Sequence, residues 1–81
     1  MHEAQKDTQR AFAAAKAIID GRDPNSDGSS IMVTAEHAIA AVLLAVYRDP
    51  RTAAGMLNEG LIPGIEERLS LYASKRPGDL T

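Results

Sequence analysis

The chain has no cysteine and no tryptophan, and only one Phe and two Tyr among its 81 residues. Without cysteine there is no disulfide framework, no thiol nucleophile and no cysteine-ligated zinc or iron–sulfur centre. With so few aromatics, a core must be assembled from Ala, Leu, Ile, Val and Met, each contributing little area. Charge of one sign is also lacking. Nine basic against eleven acidic residues give a net charge of −2, which supplies no field to draw in nucleic acid or an anionic membrane. The start, "MHEAQKDTQR", is polar and mixed in charge, unlike a secretory signal. The longest uninterrupted apolar run, Ala38 to Tyr47, has ten residues, where a bilayer span needs roughly 20. These absences lead us to expect a cytoplasmic protein with no membrane segment.

What is present is helical periodicity. Ala4, Thr8, Ala11, Phe12, Ala15, Ile18 and Ile19 recur at steps of three and four, which predicts an amphipathic helix ending near Asp20, where Gly21 suits a left-handed cap. Residues 21 to 30 are rich in Gly, Asp, Pro, Asn and Ser, all turn formers. "IMV" at 31 to 33 reads as a short extended stretch, so a polar inter-helix loop is expected over residues 21–33. Thr34 is a good N-cap, with Glu36 favourable in the turn that follows. The helix it opens is apolar all round between 38 and 47, the pattern of a central or partner-covered helix.

Asp49 then reads as a cap and Pro50 as a first helical residue, with Gly60 ending a short third helix. Pro63 opens a fourth, striped by Leu61, Ile65, Leu69 and Tyr72, and Pro77 with Gly78 stops it. The expectation is an all-α fold, a small bundle of about four helices forming a single domain over residues 1–81, with 77–81 disordered.

No catalytic constellation accompanies these helices. His37 lacks the second histidine of an HExxH pair, since Val33 and Ala41 stand four residues to either side, and a metal site needs three or four convergent groups. Ser29 or Ser30 with His37 lacks a strand–turn–helix elbow. Glu66 and Glu67 are neighbours on a helix, about 100° apart and poorly placed for paired acid–base work. The chain is therefore not expected to be an enzyme.

One loop carries a sharper alternative. In "DPNSDG" the residues Asp23, Asn25, Asp27 and Gly28 stand at the first, third, fifth and sixth places of a calcium loop, and Ser29 would offer its carbonyl at the seventh. The stretch resembles the first half of an EF-hand over six residues. The twelfth place, where a bidentate Glu closes the site, is Thr34, and Glu36 lies two places late. Turn formation explains the same residues more simply, so no cofactor is expected and a weak calcium-binding module over residues 23–36 stands as the alternative.

Nucleic-acid binding through Arg68, Lys75 and Arg76 is a further alternative. Glu66 and Glu67 would stand where a recognition helix meets phosphate, which counts against it. The leading expectation is a small non-enzymatic interaction or regulatory protein that pairs with a protein partner or with itself as a homodimer. Ile39, Val42, Leu43, Val46 and Tyr47 are its expected contact residues.

Overall fold

The computed structural model describes the backbone of residues 3–79 and the side chains of residues 5–74. The described residues are all-helical or turn, with no strand. They form three helical runs: α1 (Glu3–Ile19), α2 (Gly28–Tyr47), and a third made of α3 (Pro50–Met56), a π-helical turn (Leu57–Leu61) and α4 (Ile62–Asp79) that follow without a break. The chain divides within α2 into two compact units, Met1–Val42 and Leu43–Thr81.

In the first unit, α1 ends where its turn chemistry predicts. Asp20 and Gly21 both take the left-handed conformation, φ 51° and 72°, and the Asp20 N–H still donates to the Lys16 carbonyl at 2.8 Å. Arg22 then fastens this end to the next helix. Its guanidinium donates to the Ile18 carbonyl and to the Ile19 carbonyl, which also accepts the Arg22 main-chain N–H, and to the hydroxyls of Ser30 and Thr34 at 3.0 Å each. One planar fork thus serves two helices.

The start of α2 corrects the predicted loop. The helix begins at Gly28, six residues before Thr34, because Asp27 takes the position just ahead of it and its carbonyl accepts the Ile31 N–H at 3.0 Å. Ile31, Met32 and Val33 are helical, and the loop is confined to residues 20–27. Thr34 is an interior residue whose hydroxyl bonds back to the Ser30 carbonyl at 3.2 Å. β-branched Ile and Val disfavour a helix only slightly. Here Ile31 continues the i, i+4, i+7 stripe of Ala35 and Ala38, and it is the buried residue of this unit.

In the second unit, Asp49 caps α3 as its sequence predicts. Its backbone is extended and its carboxylate accepts from the Thr52 N–H and hydroxyl, both at 2.9 Å. These bonds, the Thr52 N–H first, hold the Asp49 carboxyl below its ordinary pKa. The chain enters this turn through Arg48 at φ 64°, a left-handed position occupied by a non-glycine residue.

Gly60 does not end the third helix, and Pro63 does not start a fourth. The Ile62 N–H reaches back five residues to the Leu57 carbonyl. The wider π turn lies immediately before Pro63, whose ring would otherwise press on the preceding turn and whose missing N–H would break an α-helical ladder. The Asn58 side-chain amide donates to the Ala54 carbonyl at 2.9 Å, adding a donor where the register changes. Pro77 and Gly78 also lie within α4, which extends to Asp79; residues 80 and 81 of the expected disordered tail fall outside the described residues. Ala53 is the buried residue of this unit.

Candidate interaction surface

Helix α2 concentrates the chain's apolar character. It has 20 residues with a mean hydropathy of 1.7 over its most apolar stretch, yet Ile31 is its one buried side chain. At 1.5 Å per residue such a helix is about 30 Å long, so by length and composition it can cross a bilayer. The predicted apolar run of ten residues was half of it.

Its faces differ. Ile31, Thr34, Ala35, Ala38 and Ile39 are buried or half-buried and recur at helical spacing. Beyond Ile39 the same stripe is bare: Val42 is 57% and Val46 63% exposed. Of the five expected contact residues, Val42, Val46 and Tyr47 are exposed, while Ile39 and Leu43 are half-buried. The five therefore do not form one free face.

A second set was missed. Val33, His37, Ala40, Leu44 and Tyr47 are all exposed, with Val33 at 50% and Leu44 at 45%. They lie on the side of α2 away from Ile31, at alternate steps of four and three residues. That spacing keeps the five on one face of the helix. It was hidden by placing the helix start at Thr34, which cut Val33 from the pattern.

The calcium-loop residues are engaged in the turn itself. The Asp23 carboxylate accepts the Asn25 N–H at 2.9 Å and the Asp27 carboxylate accepts the Asp23 N–H at 3.3 Å. Ser29 is in the first turn of α2, and Glu36 stands more than a turn further along the helix beside His37. No cluster of three or more His, Asp or Glu side chains able to hold a metal ion occurs among the described residues. Arg68 is exposed, and the side chains of Lys75 and Arg76 lie outside the described residues.

Compared with known protein families, characterised proteins and solved structures, the chain shows no match. The class defined by the fold and its surface is thus a small all-helical protein with an exposed apolar helix.

Proposed function

We propose that the protein is a small non-catalytic association module that pairs with a second copy of itself through the exposed surface of α2. The single observation carrying this reading is that a 20-residue helix of mean hydropathy 1.7 has one buried side chain. Apolar surface of that extent is costly in water and marks a binding site. Association stabilises a chain of this size, whose own core has Ile31 and Ala53 as its buried apolar residues.

The bilayer is the competing occupant of the same helix, favoured by its length and hydropathy. Two observations weigh against it. Glu36 and His37 stand near the middle of α2, where a charged residue costs roughly 2.5–3.5 kcal/mol against insertion. The Arg22 guanidinium is bonded to Ser30 and Thr34, which would carry a permanent charge to the edge of the hydrocarbon or into it.

Light scattering on the eluting protein, together with flotation on neutral phospholipid vesicles, separates the two. Self-association gives a mass above that of the single chain and no flotation. A protein that floats with the vesicles, or stays at single-chain mass at every concentration, overturns the reading.

A further inference from the structure

Two Asp–Gly pairs flank the turn between α1 and α2, Asp20–Gly21 and Asp27–Gly28. In such a pair the glycine nitrogen can be reached by the aspartate side chain, because no Cβ stands in the way. The space around both is open: a Cβ built at either glycine meets nothing within 4 Å. Identical in sequence, the two pairs differ in how the aspartate is held.

Asp27 is tied at three points. Its carboxylate accepts the Asp23 N–H at 3.3 Å, its main-chain N–H donates to the Asp23 carbonyl at 2.7 Å, and its carbonyl accepts the Ile31 N–H at 3.0 Å. Asp20 has one tie, from its N–H to the Lys16 carbonyl at 2.8 Å. Among the described residues no hydrogen bond takes up the Asp20 carboxylate, the Asp20 carbonyl or the Gly21 N–H. Asp20 is also exposed and sits at φ 51°, a left-handed conformation unfavourable for an L residue.

We infer that Asp20 is a site of spontaneous isoaspartate formation, from which Asp27 is protected by its bonds. The Gly21 nitrogen attacks Cγ of the Asp20 carboxyl group, the Cγ–O bond breaks, and the hydroxyl leaves with the amide proton as water. A second water then opens the five-membered ring at the former main-chain carbonyl, so the chain runs on through Cγ and the old carbonyl becomes a free carboxylate. Mass is unchanged, and no reagent other than water takes part. Closing the ring turns the side chain and the peptide plane together. At Asp20 no bond to the carboxylate or to the peptide group it joins has to break first; at Asp27 the carboxylate must leave Asp23 and the carbonyl is held by Ile31.

The product bears on the fork between the helices. It adds one main-chain carbon between Ile19 and Arg22, whose N–H and Nε both donate to the Ile19 carbonyl at 3.0 and 3.1 Å. That extra length displaces the guanidinium from Ser30 and Thr34, so the isomerised chain loses the link that Arg22 makes to α2.

Tryptic cleavage after Lys16, Arg22 and Arg48 puts the two pairs in separate peptides, 17–22 and 23–48. The wild-type protein is aged in neutral buffer, folded and, in parallel, unfolded in guanidinium chloride, and isoaspartate is located in each peptide by electron-transfer fragmentation. The unfolded chain supplies the reactivity of each pair without the fold. Folding is expected to raise the ratio of isoaspartate at Asp20 to that at Asp27 by roughly tenfold, the effect of about one hydrogen bond that must break before reaction. A folded-state ratio equal to the unfolded one, faster reaction at Asp27, or an Asp20 that stays unmodified when folded while the unfolded chain reacts would overturn the inference.

Discussion

The Arg22 guanidinium donates to the Thr34 hydroxyl at 3.0 Å across twelve residues of chain, while the Thr34 hydroxyl donates in turn to the Ser30 carbonyl at 3.2 Å. The turn between the first two helices is held by this relay. Loop residues with no buried side chain of their own supply the acidic and Gly positions around it, and a residue expected to begin a helix serves as the acceptor inside it. Replacing Arg22 with Ala leaves the Ile18 carbonyl to water, leaves the Ile19 carbonyl with the main-chain N–H of residue 22, and removes a donor from both hydroxyls.

We expect R22A to lower stability by about 1.5–3 kcal/mol, the range for hydrogen bonds to a charged group. R22K should recover only part, because a point charge cannot reproduce the planar fork. Urea unfolding followed by circular dichroism measures both. An R22A protein as stable as wild type would show the fork to be ornamental.

A double-mutant cycle of R22A with T34V isolates the pair itself. The two residues share a hydrogen bond, so their effects should fall short of additivity by about 0.5–1.5 kcal/mol. Full additivity would mean that Thr34 contributes independently of Arg22.

The Asp49 cap predicts a pH dependence. Its carboxyl pKa is lowered in the folded state by the Thr52 N–H and hydroxyl. A group depressed on folding adds stability above its unfolded pKa of about 3.9, and that stability is lost as pH falls through the lower folded value. Acid titration of wild type should therefore show a loss below about pH 4 that D49N does not share, although D49N retains an oxygen to accept the Thr52 N–H. Parallel acid curves for the two proteins would contradict the assignment.

The π turn before Pro63 predicts that the proline is tolerated rather than needed. P63A restores an N–H donor and removes the ring, so it should raise stability, by less than the roughly 3 kcal/mol that an interior helix proline costs, since the π turn already relieves part of the clash. New amide protection at residue 63 in hydrogen exchange would accompany the gain. Destabilisation by P63A would show that the turn depends on the proline.

Much of this was legible in the residues themselves, wherever the local signal had no competitor. The apolar spacing of α1, the left-handed Gly21 and the Asp49–Pro50 start each depend on neighbours within one turn. The reading failed where strong local signals met longer-range periodicity. Ile31 to Val33 have β-branched character, and Thr34 is a good cap in isolation, yet Asp27 starts the helix earlier and Ile31 completes the stripe of Ala35 and Ala38. Gly60 and Pro63 are ordinary helix punctuation, and the structure absorbs both in a π turn that no residue pattern announced, leaving three helical runs where about four were expected. With the helix start placed at Thr34, Val33 lay outside the expected helix, and two of the expected contact residues, Ile39 and Leu43, are half-buried.

Sedimentation equilibrium on wild type and L44E, side by side over a wide concentration range, tests the central claim most directly, because Leu44 is exposed on α2 and packs on nothing that buries it. The account predicts that wild type moves from 8.6 kDa toward twice that mass as concentration rises, while L44E, with the same helical content, stays at the single-chain value. Wild type fixed at 8.6 kDa throughout, or L44E associating as tightly as wild type, would contradict it.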